Sequence, residues 1–148
     1  MNRSRVVVPV CREPAQPRES GPVAGAPARS LASVTDLLAR TADLVAIRSE
    51  SHDEAALADY VQQRLNAAGG LVVERLGDNV VARSQLGRNQ RLVVAGHLDT
   101  VPANDNTEPK IDGDVLWGLG AADMKGGLAV MLELATTVTE PAVDVTWV

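Results

Sequence analysis

Apolar residues recur at helical spacing from Leu31 onward: Leu31, Val34, Leu37, Leu38, Leu44 and Val45 fall on one face, with Ser30 or Ser33 placed to cap the start. Ser51-His52-Asp53-Glu54 then has the form of a capping box, Ser51 reciprocating Glu54, and opens a second helix through Leu57, Tyr60, Val61 and Leu65 that stops at Gly69-Gly70. The period next shortens to that of strands, over about 71–76, 79–84 and 91–96, with Gly77-Asp78-Asn79 and Gly87-Arg88-Asn89 as turns. A further strand-like stretch, Ile111 to Trp117, crosses a turn at Asp112-Gly113. The helix expected over 124–138 is apolar nearly all round, through Leu128, Val130, Met131, Leu132, Leu134 and Val138, so it calls for cover on more than one side. A last strand, Val143 to Val148, is expected to present an unpartnered outer edge. The pattern is that of an α/β sheet covered on both faces.

Residues 1–29 break this order. They mix Pro, Ala, Gly, Ser and Arg without an apolar period, and they predict a disordered tail, because they cannot bury enough surface to offset chain entropy. The tail holds five Arg against two Glu, so the remainder of the 148 residues is strongly acidic and repels phosphate backbones and anionic membranes. Neither nucleic acid nor a membrane is an expected partner. No run of eighteen apolar residues occurs, and Val6 to Val10 is too short and too broken by Pro9 for a signal-peptide core. The single Cys11 excludes an internal disulfide, and a cytoplasmic protein is the expectation. Only Tyr60, Trp117 and Trp147 are aromatic, which makes the core aliphatic.

The chemistry gathers between Arg91 and Gly127. The apolar run Leu92-Val93-Val94-Ala95 ends abruptly in Gly96-His97-Leu98-Asp99-Thr100-Val101-Pro102, which places ionisable side chains just past a buried strand, where open α/β sheets keep their sites. His97 so placed offers one ring nitrogen to a metal and the other to a supporting acceptor, and Asp99 is near enough to be that acceptor. Asp123 follows the second strand-like stretch among Gly118, Gly120, Gly126 and Gly127, which allow close backbone approach. Taken singly, His97 reads as a hydrogen-bonded turn histidine, Asp123 as a helix N-cap, and Asp99 and Asp112 as turn formers. Gly118-x-Gly120-x-x-Asp123 half-matches a dinucleotide fingerprint, but its third position would set a carboxylate against a pyrophosphate. His52 lies in a first helical turn with no second ligand at helical spacing, and Asp105, Glu108, Asp114 and Asp144 read as surface.

Taken together, Gly96-His97-Leu98-Asp99-Thr100-Val101-Pro102, Asp112-Gly113, Trp117-Gly118-Leu119-Gly120 and Ala122-Asp123-Met124-Lys125-Gly126-Gly127 resemble the M20 family of dinuclear zinc amidohydrolases and peptidases. Leu44 to Ser51 also resembles that family's Leu-Val-x-Ile-Pro-Ser segment. The departures are Leu119, where many members carry Arg, and Arg48, where Pro is common. The resemblance covers about residues 31–148. It implies an N-terminal half of the M20 catalytic domain at 30–148, an incomplete doubly wound mixed sheet flanked by helices. It further implies His97 as ligand of one metal, Asp123 as the carboxylate bridging both, Asp99 as the supporting catalytic carboxylate, and two Zn2+ ions, with Co2+ as the alternative. Within the family the likeness is to the desuccinylase branch, so the implied substrate is a small N-acylated amino acid, specifically an N-succinylated diamino acid of the lysine and diaminopimelate route. Deacetylase, aminoacylase and carboxypeptidase branches are the alternatives. The family's Glu-Glu pair, its other ligands and its dimerisation domain lie after the strand that here is Val143 to Val148; Glu133 and Glu140 precede that strand, so neither is assigned as the base. The expectation is therefore a homodimeric enzyme for the intact family protein, and for this chain alone an inactive or truncated product.

Overall fold

The computed structural model describes residues 36–148, so the expected tail and the capping serines Ser30 and Ser33 lie outside the described residues. Helix α1 spans Leu37–Ala46 and is capped by Asp36, whose carboxylate accepts from Leu38 and Ala39 N–H, both at 3.1 Å. It separates two apolar clusters. Leu44 enters the main core, whereas Val45 packs with Leu116 and Ala121 on the other side.

Helix α2 spans Ala55–Ala68 and ends at Gly69, which takes a left-handed φ of 70°. Its start corrects the expected capping box. Glu54 stands at the cap without a side-chain bond to the helix, its carboxylate accepts from His52 N–H at 2.8 Å, and the Ser51 hydroxyl is used elsewhere. The sequence motif fitted, but a carboxylate distant in sequence competes successfully for that hydroxyl.

Strands β1 (Leu71–Leu76) and β2 (Asn79–Ser84) form an antiparallel hairpin across Gly77-Asp78. β3 covers Arg91–Val94, β4 (Lys110–Asp112) and β5 (Val115–Trp117) make a separate small hairpin, α3 covers Gly126–Thr137, and β6 covers Asp144–Trp147. The main sheet is mixed, in the order β1-β2-β6-β3, with β6 antiparallel to β2 and parallel to β3. The expected unpartnered edge at 143–148 is thus overturned: the last strand in sequence is an inner strand, and β1 and β3 are the outer ones among the described residues. The β3-α3-β6 crossover returns the chain beside β3, on the side where β2 already waits.

The main core joins Leu44 of α1, Leu57, Ala58, Val61 and Leu65 of α2, Val80 and Ala82 of β2, and Leu128, Ala129, Leu132 and Ala135 of α3. Leu71, Val73 and Trp147 pack against it from the same face of the sheet. The sides of α3 that carry Val130 and Leu134 stay exposed.

Asp144, expected at the surface, is buried. Its carboxylate accepts from Ser84 Oγ (2.8 Å), Leu86 N–H (2.8 Å) and Arg88 N–H (2.9 Å), with the Arg91 guanidinium at 3.7 Å. The Ser84 hydroxyl in turn accepts from Val145 N–H at 2.8 Å. One acidic side chain thereby organises the β2-β3 connection around the first residue of β6.

Candidate metal centre

Pairing between β3 and the chain end continues past the strands, through Val148 N–H to Val94 O and Gly96 N–H to Val148 O, both at 2.9 Å. The backbone is held up to Gly96 and released directly into His97. A Cβ at Gly96 would stand 3.0–3.2 Å from Met124, Leu128 and Met131 side-chain atoms, so those side chains would have to shift to admit it. The His97 amide donates to the Met124 sulfur at 3.4 Å.

Asp123 arrives on an irregular turn, Ala121–Lys125, in which Asp123 (φ −135°, ψ 96°) and Met124 (φ −130°, ψ 35°) leave helical geometry before α3 begins. The Asp123 peptide to Met124 is cis. The expected alternative, Asp123 as the N-cap of this helix, does not hold, since its carboxylate is turned to His97. Lys125 is buried and donates from Nζ to Ile47 O at 2.7 Å, which ties the turn to the end of α1; burial pushes its ammonium pKa down.

The two loops meet at the imidazole. His97 Nε2 lies 2.9 Å from Asp123 Oδ1, and Nδ1 lies 3.1 Å from the Asp99 carbonyl oxygen and 3.2 Å from Asp99 Oδ1. The hydrogen bond to Asp123 is the main cause of a raised His97 pKa, while partial burial opposes it. Asp99 has its carboxyl held below the usual range, first by the hydrogen bond from Ser51 and also by His97. The Asp123 side chain is 87% exposed and that of His97 42%, so the pair opens to solvent. On the inner side His97 and Asp99 border a cavity of about 270 Å³ walled by Leu128, Met131 and Trp147.

A third segment braces this loop from outside. Ser49 Oγ donates to Leu98 O (2.8 Å), Thr100 N–H to Ser49 O (2.7 Å), and Ser51 N–H to Thr100 O (3.0 Å). Residues 49–51 therefore run as a short parallel bridge beside 98–100. Ser49 and Lys125 were not singled out from sequence, and Ser51 only as a helix cap. Some 48 positions separate Ser51 from Asp99, and no local spacing signals such a contact. His52 takes a positive φ of 75° at the surface, and Asp112 sits on the β4-β5 hairpin.

Chemically, a neutral imidazole nitrogen and a carboxylate oxygen facing each other across 2.9 Å make a donor pair for one cation once the shared proton leaves, with Asp99 within reach of Nδ1. Among the described residues, no group of three or more His, Cys, Asp or Glu side chains converges to hold an ion. The pair thus fits part of a metal site.

Residues 93–147 match the peptidase family M20/M25/M40. A Mycobacterium tuberculosis protein provisionally named a succinyl-diaminopimelate desuccinylase is 48% identical over 114 residues, which are 76% of this chain and 32% of that protein. The succinyl-diaminopimelate desuccinylase of Corynebacterium glutamicum is 38% identical over 104 residues, 69% of this chain and 28% of the enzyme. Among solved structures, a Staphylococcus aureus tripeptidase superposes with a TM-score of 0.62 at 27% identity, covering 75% of this chain and 34% of the tripeptidase. An M20 metallo-carboxypeptidase of Sulfolobus solfataricus shares the fold with a TM-score of 0.60 at 19% identity, covering 76% and 30%. The chain spans about a third of the length of the curated relatives it matches. The motifs around His97 and Asp123, the mixed helix-flanked sheet and these matches agree: the chain belongs to the M20 family of peptidases and related hydrolases.

Proposed function

We propose that this chain carries the first part of a metal-dependent amide hydrolase of the desuccinylase type, acting on N-succinyl-LL-2,6-diaminopimelate to give succinate and LL-2,6-diaminopimelate. The observation that carries the reading is the facing pair His97 Nε2 and Asp123 Oδ1 at 2.9 Å, with His97 Nδ1 backed by Asp99. The names of two relatives, both succinyl-diaminopimelate desuccinylases, support the substrate class. In this reading His97 and Asp123 would hold metal, Asp123 as the carboxylate shared by two ions, and Asp99 would hold the imidazole. Two bound Zn2+ ions, or Co2+ in their place, supply Lewis-acid polarisation of the amide carbonyl and lower the pKa of water. The chain's own contribution is geometric. Asp99 keeps the proton on Nδ1 so that Nε2 presents a lone pair, the turn at Ala121–Lys125 aims Asp123 at it, and Leu128, Met131 and Trp147 limit water on the inner side. A cytoplasmic location and a homodimer for the full-length protein belong to the same reading.

The donor count sets what the 148-residue chain does by itself. His97 and a doubly used Asp123 give about three metal bonds, where a zinc pair needs about six. The isolated chain is therefore expected to bind zinc weakly and to lack turnover on succinylated or acetylated diamino acids. Competition with a chromogenic chelator tests the site. Weak zinc binding by wild type should fall by roughly 100-fold in His97→Ala and Asp123→Ala proteins that keep their circular dichroism. Binding that survives both substitutions would remove the assignment. Two zinc ions per chain retained through a mild chelator wash would remove the ligand count.

A further inference from the structure

We propose that Ser51 is a positioning residue of the metal centre, whose hydroxyl clamps one oxygen of Asp99 so that the other stays on His97. The inference rests on the metal-site reading above and extends it outward by one residue. Ser51 Oγ donates to Asp99 Oδ2 at 2.9 Å, and Asp99 Oδ1 stands 3.2 Å from His97 Nδ1. The carboxylate is thus held at both ends, by a hydroxyl on one oxygen and an imidazole on the other. The alternative acceptor for the same hydroxyl, Thr100 O, is at 3.4 Å, the far limit of a hydrogen bond, and it is uncharged.

Ser51 is placed for this work by backbone alone. Its N–H donates to Thr100 O and Ser49 O accepts from Thr100 N–H, which locks residue 51 in register beside residue 99. Its hydroxyl is available because α2 begins only at Ala55, so no helix amide draws on it. The Asp99 side chain is 46% exposed, and without Ser51 its carboxylate would exchange rotamers against water. The Asp99 carbonyl oxygen, 3.1 Å from Nδ1, would still hold the ring. Losing Ser51 should therefore loosen the support of His97 without releasing it, which puts the effect at the lower end of the 10- to 100-fold range for outer partners of metal ligands, at about tenfold.

The test uses the full 148-residue chain and Zn2+ as the probe. Zinc dissociation constants from chelator competition are compared for wild type, Ser51→Ala, Asp99→Ala and the double variant. Ser51→Ala should weaken zinc about tenfold and have no further effect in the Asp99→Ala background. Equal loss in both backgrounds would mean that Ser51 merely braces the backbone, and would overturn the proposal. Ser51→Thr against the isosteric Ser51→Val separates hydroxyl from shape: Thr should restore binding to within about threefold of wild type and Val should not. A readout without metal comes from 15N-histidine NMR, with His52 as internal reference. At fixed pH the His97 Nδ1–H proton should exchange with water about tenfold faster in Ser51→Val than in Ser51→Thr. If exchange responds while wild type binds no zinc, the metal-site reading fails and the positioning role stands. If zinc binds and neither quantity responds to the hydroxyl, the positioning role fails and the metal site stands.

Discussion

At Gly120 a single hydrogen atom lets the two halves of the site meet. Its φ is 74°, and a Cβ there would stand 2.6 Å from Thr100 Cγ2, on the loop that carries His97 and Asp99. Gly77 offers the comparison, with φ 61° but open space around it. Gly77→Ala should cost about 1 kcal/mol for the left-handed backbone alone. Gly120→Ala should cost about 2–4 kcal/mol, since the clash adds to the strain. Denaturant melts of both variants check the difference, and equal costs would show that the loops are not packed as described. Taken singly, His97 and Asp123 read as a turn histidine and a helix cap; only the motifs around them, taken jointly, led to the expectation that the two side chains meet, as they do at 2.9 Å. Ser51 was misread as a helix cap, since a local motif cannot reveal that Asp99, far along the chain, would claim its hydroxyl. Asp144 was misread for the same reason: nothing around it in sequence announces that two backbone amides and Ser84 will converge on it.

Among elements, β6 depends on Asp144 more than its four residues suggest. The carboxylate's pKa is lowered, first by the Leu86 amide, then by the Ser84 hydroxyl and the Arg88 amide, with Arg91 adding charge. A depressed folded-state pKa means that the unfolded chain binds the proton more readily, so stability from this group is present above the unfolded value of about 3.9 and is lost as pH falls through the lower folded value. Thermal melts between pH 5 and 2 should therefore show less acid sensitivity in Asp144→Asn than in wild type. At neutral pH Asp144→Asn should melt lower by roughly 5–10 °C, because an amide cannot accept on both sides and would turn its own N–H groups on Arg88 or Leu86. An unchanged acid slope in the variant would remove Asp144 from this role. The strands at 71–76 and 79–84 and the span of α2 were readable from period and turn residues. The start of α3 was not, because Asp123 and Met124 leave helical geometry inside a stretch whose composition is helical throughout.

For the whole molecule, strand order decides where the exposed apolar surface lies. Chain order suggested that 143–148 would be the open edge; the sheet instead seats β6 between β2 and β3 and leaves β3 at one edge and β1 at the other among the described residues. Leu92 is 53% exposed and Val93 59%, on opposite faces of that strand, and Val130, Leu134 and Val138 of the α3 segment are 42–47% exposed. An outer strand with apolar side chains on both faces is a template for pairing with a second chain, and no lysine, proline or bulge blunts it over Arg91–Val94. The 148-residue chain by itself should therefore associate through β3. Val93→Lys should shift the size-exclusion profile toward monomer while keeping the near-ultraviolet circular dichroism, because residue 93 is already in contact with solvent. Removing 144–148 should act differently: it takes out the inner strand and the Asp144 bonds together, and the cooperative melt should disappear rather than the association alone. A monomeric wild type, or a deletion variant that still melts cooperatively, would contradict the placement of β6 and β3 in the sheet.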